Sequence, residues 1–317
     1  MSGKTDTSKY SLGVRFNHQM GTLEVLSFLG EGVGAMLYVL AVVLGRPHIA
    51  VLGIAFVIFA VLVLRAHLGQ PGRAWRAMKR LATSTVSRGT LLISGFLGFS
   101  TLSVAAHYIR FLEPLRGLLT VAALVFAVPV ILYAGFLLRS MKAITFWHGL
   151  RVPAAFTAHS LATAMAIVLT LIAWRGMNQV SYDWLQPVGL GALLLAAVLS
   201  LVHLYGVERT AGTQASVHRI RKGDLSGRFT WGAGLFGIVI PFVVWLTIYV
   251  LGPILGDAAA NAVFALGALC RLYGDYAYRS CVVVAGAYEP LLPASGGNVP
   301  RFLARSGSAP ASAAARR

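Results

Sequence analysis

The sequence predicts an all-α, polytopic membrane protein, a bundle of eight transmembrane helices. Three observations predict it. Hydrophobic residues make up 57% of the 317-residue chain and charged residues 12%, with a mean hydropathy of +0.74; a soluble chain of this length needs far more polar surface to cover its core. Apolar runs long enough to cross about 30 Å of hydrocarbon recur along the chain. Most of the bases stand in the connections between those runs. Runs of this length and continuity span as helices, because a helix satisfies its own backbone polar groups where no water can.

In chain order the spans are read at residues 20–44, 49–66, 90–109, 117–138, 152–174, 187–207, 230–255 and 260–286. Residues 1–19 form a polar amino-terminal tail. They show no short cleavable signal, since the first apolar run is long enough to remain as a span. Residues 20–290 make the membrane domain. From 291 the chain is rich in Ala, Ser, Gly and Pro and ends Arg316-Arg317; it has too little apolar area to offset the entropy of ordering and is expected to be a flexible tail.

The connections also set an orientation. With eight spans, one face takes the amino-terminal tail, the 65–88, 139–151 and 209–228 connections and the carboxy-terminal tail, which together hold 21 Lys or Arg. The other face holds four, at Arg46, Arg110, Arg116 and Arg175. The positive-inside rule then places both termini in the cytoplasm. A net charge of +17 does not point to nucleic acid here, because the bases lack interleaved aromatic residues for stacking. The two cysteines, Cys270 and Cys281, are too few for an iron-sulfur cluster with its usual four or so ligands. No metal site and no catalytic residue for a soluble substrate are read in the chain.

Ionisable residues inside spans are costly and mark functional or structural pairing. Glu31 lies seven residues beyond Glu24, about 10 Å deeper on nearly the same face of the first helix. Arg271, Asp275 and Arg279 recur every four residues on the last helix and share one face, which must point into the bundle. Glu31 and Arg271 come out near the same depth, so an interaction between them is expected, directly or through water; alternatively Asp275 neutralises both arginines. Gly30 and Gly34 form a small-xxx-small pair suited to close helix packing.

The 65–89 connection carries His67-Leu-Gly-Gln-Pro71, then Arg73, Arg76, Lys79 and Arg80, then Ser87-Arg88-Gly89. Further on come Tyr133-Ala-Gly135, Phe146-Trp147-His148, Pro153-Ala-Ala-Phe156, and Arg279 followed by an apolar run ending Ala285-Gly286. In type, order and spacing this set resembles the polysulfide reductase/NrfD-like membrane subunits, a family that includes the dimethyl sulfoxide reductase anchor. One departure places it nearer the latter branch: His67 stands where the polysulfide reductase branch often has an acid. The resemblance implies the integral subunit of a molybdopterin oxidoreductase complex in a bacterial inner membrane. That subunit binds a quinone or quinol, menaquinone or ubiquinone, beneath the face that docks a ferredoxin-like [4Fe-4S] subunit. Clusters and molybdopterin then belong to the partner subunits.

Quinol oxidation releases electrons and protons, so the pocket needs apolar walls, hydrogen-bond partners for the oxygens and titratable groups. His18, Glu24, His67 and Arg88 offer those groups at the basic face, with His67 as oxygen partner and Glu24 as proton carrier. Arg88 has a plainer role available, anchoring its loop through carboxylates or carbonyls. Arg73, Arg76, Lys79, Arg80 and His148 are read as the docking surface. Because that face is cytoplasmic by its charge, the iron-sulfur and catalytic subunits are expected in the cytoplasm. No haem is expected, since His107 has no second histidine near its depth to complete a pair of axial ligands. Two other classes are weighed. One is a purely structural anchor without a quinone site. The other is a secondary transporter, for which Pro129 and Pro241 would be helix breaks in the two halves.

Overall fold

The computed structural model describes residues 15–17, 20–67, 81–174, 179–207, 210–251 and 257–289. Helices occupy every predicted span: α1 (Thr22–Val43), α2 (Pro47–His67), α3 (Thr85–Ala105), α4 (Arg116–Arg139), α5 (Arg151–Trp174) and α6 (Gln179–Tyr205). A short α7 (Ala211–Arg221) follows, then a π-helical segment Arg228–Val239 continuing into α8 (Ile240–Leu251), and last α9 (Asp257–Ala285). Among the described residues, seven helical stretches are long and apolar enough to cross a membrane. The eighth predicted span coincides with α9, whose 29 residues reach about 43 Å at 1.5 Å per residue, while Arg271, Asp275 and Arg279 lower its hydropathy.

The outer surfaces are apolar, as a lipid-facing wall requires. Val121, Val125 and Val128 of α4 and Leu194, Leu195, Val198 and Leu201 of α6 are all exposed. Enclosure is greatest at α1 and α5, where 83% and 72% of the most apolar stretch is buried, so these two form the centre of the bundle. α1 lies tightly on α2. A Cβ at Gly34 would stand 2.5 Å from the Gly53 carbonyl, and one at Gly30 2.9 Å from both the Ala60 Cβ and the Phe56 carbonyl. The small-xxx-small reading therefore holds, with backbone rather than side chain filling the contact.

The α1–α2 turn is fixed by a Schellman closure. Gly45, at φ +64°, donates its N–H to the Val42 carbonyl and Arg46 donates to Ala41. Pro47 then opens α2, where a missing N–H costs nothing. α3 begins five residues before the predicted 90 because Ser84 caps it, its hydroxyl accepting from the Ser87 N–H at 3.3 Å. α7 lies in a stretch read only as a basic connection. Thr210 caps its start, and His218, Arg219 and Arg221 occupy its last turn, where positive charge suits the helix dipole.

A two-residue antiparallel pairing, β1 (Arg15–Phe16) with β2 (Ala287–Tyr288), joins the segment before α1 to the one after α9. The Asn17 N–H extends it, donating to the Gly286 carbonyl at 2.7 Å. The start of α1 and the end of α9 therefore share one face of the bundle.

Gly34→Val is expected to destabilise the bundle by about 2 kcal/mol or more, by forcing α1 off α2. Gly98→Ala, whose Cβ would meet nothing within 4 Å, is expected to leave the thermal midpoint of the detergent-extracted protein unchanged; the two midpoints measured side by side check this.

Candidate functional site

Arg279, buried at 1% exposure, is held by three helices. Its Nε donates to Asp275 Oδ1 at 2.7 Å on α9 itself. Nη1 donates to the Phe28 carbonyl of α1, and Nη2 to the Phe156 carbonyl and Ser160 Oγ of α5, the last at 2.7 Å. The guanidinium also lies 4.7 Å from the Phe156 ring centroid. Asp275 is completed by Thr163, whose hydroxyl donates to Oδ2 at 2.9 Å. Gly32 makes room, since a Cβ there would come within 2.5 Å of Ser160 Oγ.

Arg271 does different work. Pro241 has no N–H to offer the Gly237 carbonyl four residues earlier, and Arg271 Nη1 takes that carbonyl at 2.6 Å. α9 can come this close because Gly274 faces Gly237, where a Cβ on Gly274 would stand 1.9 Å from the Gly237 Cα. Arg271 Nη2 donates to His159 Nδ1 at 2.9 Å. His159 Nε2 must then carry the ring proton and donate to Ser200 Oγ at 2.8 Å, since that hydroxyl donates onward to the Ala196 carbonyl. With Nδ1 accepting, the 3.9 Å approach of His159 to Asp275 is not an ion pair. Tyr278 stacks on His159 with centroids 4.0 Å apart and approaches His203 Nδ1 at 3.3 Å.

Glu31 does not meet Arg271. Ser27 donates to its Oε1 at 3.0 Å, Oε2 has no hydrogen-bond partner, and the guanidinium that acts on it is Arg279. The expected depth match fails as a contact because the Gly237 carbonyl and His159 occupy Arg271. Asp275 bonds Arg279 and Thr163 directly, and its charge also acts on Arg271 at longer range.

The face where α1 begins and α9 ends is tied together by Glu289. Thr145, in the turn after α4, donates to its carboxylate at 2.7 Å. Thr210 also donates to it, and so does the Gly212 N–H at the start of α7. The Glu289 N–H donates to the Ala143 carbonyl. Arg219 of α7 adds a bond to the Val284 carbonyl at 2.9 Å, a fork onto Asp224 and a cation–π contact with Phe16 at 4.4 Å. That fork holds the Asp224 carboxyl below the usual carboxylate range. Burial opposes ionisation of Glu289, but the bonds from Thr210, Thr145 and the Gly212 and Thr213 backbone outweigh it and keep its carboxyl below the ordinary 4.5.

Of the predicted pocket, Glu24 is nine-tenths buried and accepts the Gly21 N–H at 2.8 Å, closing the first turn of α1. Arg88 donates from Nε to the Leu81 carbonyl at 2.9 Å and from Nη2 to that of Ala82. His67 ends α2; its side chain, with His18, Arg73, Arg76, Lys79 and Arg80, lies outside the described residues. His148 Nε2 lies 3.1 Å from the Lys142 carbonyl. The sequence reading missed Glu289, an acid just past the last span on a basic face. It also missed the roles of His159, Ser160 and Thr163, although His159 and Thr163 stand four apart on one helical face, a signal that was available.

The motif residues read from distant stretches meet in space. A Cβ on Gly89 would collide with the Tyr133 ring at 2.0 Å, one on Gly135 with the Pro153 Cα at 2.3 Å, and one on Gly286 with the Trp147 ring at 2.4 Å. Trp147 Nε1 donates to the Val282 carbonyl at 2.9 Å. These features define an integral membrane helical bundle with a buried, hydrogen-bonded charge cluster beneath a tied, basic face. The chain belongs to the polysulphide reductase NrfD family, whose model matches residues 22–286. That family supplies membrane subunits of molybdopterin oxidoreductase complexes, which work with iron-sulfur subunits. A comparison with curated proteins finds no match.

Asp275→Asn is expected to cost about 3–5 kcal/mol, because it removes the carboxylate bonded to the buried Arg279 guanidinium. The double variant Asp275→Leu/Arg279→Met is expected to lose less. Folded yield and thermal midpoint in detergent distinguish them, and a double variant worse than the single would reject the pairing argument.

For Glu289 the sign is set by its lowered titration. The latch is whole above the ordinary 4.5 and is lost as pH falls through the carboxyl's lower folded value. Hydrogen exchange over residues 210–216 should accelerate in acid beyond the intrinsic rate, and Glu289→Gln should already be fast at pH 7.

Proposed function

We propose that this chain is the membrane anchor and quinone-reactive subunit of a molybdopterin oxidoreductase complex. It exchanges electrons between the quinone pool and a docked [4Fe-4S] subunit. The observation that carries the reading is the family match over residues 22–286. The built rim supports it. β1, the α4–α5 turn, α7 and the end of α9 are bonded into one platform through Glu289 and Arg219, and α3, which follows the strongly basic 65–88 connection, sets Gly89 against Tyr133 of α4. A rigid basic face suits an acidic soluble partner.

In this reading α9 is the eighth crossing. α1 begins and α9 ends on one face, which requires an even number of spans. The rim is cytoplasmic by its charge, and so are both termini and the docked subunits. Arg73, Arg76, Lys79 and Arg80 supply the docking charge, with His148 at its edge.

Quinol oxidation supplies two electrons and two protons, and the chain's own residues provide a place for the carrier. An apolar groove of about 570 Å³ between α1, α2 and α9, walled by Leu26, Leu29, Leu52, Phe56 and Tyr276 among others, suits an isoprenoid tail. His67 and His18 serve the head group. Glu24, at the start of α1, takes the proton, and Arg88 holds the loop above through the Leu81 and Ala82 carbonyls. Beneath them Ser27, Glu31 and the Arg279–Asp275 cluster fix the surrounding helices.

The test is quinol-dependent reduction of the co-expressed complex, with a green fluorescent reporter after Arg317 that should fluoresce in the cytoplasm. His67→Ala and Glu24→Gln should each lower quinol-dependent turnover by about 10²-fold, the lower end of general acid–base contributions. Reduction of the soluble subunits by an artificial dye should be unchanged. Full quinol activity in both variants would remove this pocket, and a dark reporter would remove the orientation.

A further inference from the structure

A polar cavity lies at the opposite end of the bundle from the basic rim. It measures about 420 Å³ and is enclosed by the ends of α1 and α3 and the starts of α2 and α4. Tyr38 and Ser103 form its buried floor, at 0% and 3% exposure, and Arg46, His107 and Arg116 stand exposed at its mouth. The buried Tyr38 hydroxyl has no hydrogen-bond partner. It faces the Ser103 and Thr120 hydroxyls, which bond to each other at 2.7 Å. His107 Nδ1 lies 3.0 Å from the Ser103 carbonyl; a carbonyl only accepts, so Nδ1 carries a proton and Nε2 is left for the cavity. No Asp or Glu is among the lining residues. Two helices start here and two end, so the helix dipoles oppose each other and the positive potential comes from the side chains.

We infer that this cavity binds the phosphate group of an anionic phospholipid. Two guanidinium groups around one opening match the tetrahedral oxygens of a phosphate through paired donors. The Tyr38, Ser103 and Thr120 hydroxyls add neutral hydrogen-bonding groups to its lining. The surroundings favour a lipid over a free anion. Tyr108, Ile109 and Phe111, in the turn between α3 and α4, are 74%, 49% and 85% exposed, which sets apolar side chains on the outer surface next to the bases. Basic pockets between transmembrane helices hold lipid head groups on this principle. The inference is independent of the quinone reading, because it concerns the other face and other helices.

The experiment is native mass spectrometry of the delipidated full chain in detergent, titrated with short-chain phosphatidylglycerol and, separately, with phosphatidylcholine of the same chain length. Phosphatidylglycerol should bind as one adduct about thirtyfold more tightly, on the order of what two basic side chains at a membrane surface contribute. Arg46→Gln/Arg116→Gln should abolish the preference. Tyr38→Phe keeps the edge-on packing against Phe96, now at 5.4 Å, and should weaken the adduct several-fold. Arg139→Gln, an exposed base at the opposite end, should change nothing. Equal binding of the two lipids, or a preference that survives the Arg46/Arg116 pair, would overturn the site. Displacement of the adduct by equimolar inorganic phosphate would overturn its assignment to lipid.

Discussion

The bundle depends on the absence of water around one guanidinium. Arg279 carries its N–H groups into a region where donors need protein acceptors, and four bonds reach Asp275, Ser160 and the carbonyls of Phe28 and Phe156. Those acceptors sit on α1, α5 and α9, so a turn of any of these helices about its axis would strand a donor. Register is thereby fixed at the centre of a fold whose other contacts are mostly non-directional. Gly32 belongs with this arrangement, since a larger side chain there would meet Ser160 Oγ and the Arg279 guanidinium.

The same constraint explains Arg271 and Pro241, which looked unrelated along the chain. A proline inside a membrane helix releases a carbonyl, and a carbonyl in lipid needs another donor. Arg271 is that donor, and the π-helical segment ending at Val239 leads into the freed position. Pro241 therefore reads as half of a structural pair, which leaves it no necessary role as a transporter-like break.

Helix positions were legible because hydropathy is a property of each segment alone. α7 was not, since its residues are polar overall and its helix rests on a Thr cap and on contacts with Glu289 and Phe16, residues far away in sequence. The depths expected for Glu31 and Arg271 say nothing about rotation, and rotation decides which groups meet: Ser27 bonds Glu31, while the Gly237 carbonyl and His159 take Arg271. The family motifs were legible as a set of residue types. Their physical reason was not: Gly89, Gly135 and Gly286 are where Tyr133, Pro153 and Trp147 press against backbone, a pairing visible only after folding. Much of what makes the pattern recognisable is thus packing under the rim.

The bond between Arg279 and the Phe28 carbonyl joins positions 251 residues apart, and β1 with β2 joins others further still. At a synthesis rate of about 5–20 residues per second, on the order of 10–50 s pass before α9 exists to meet α1. For that interval the first helix sits in the bilayer with Glu31 and an incomplete neighbourhood, exposed to insertion machinery and quality control. Final closure of this protein is therefore a late event of translation.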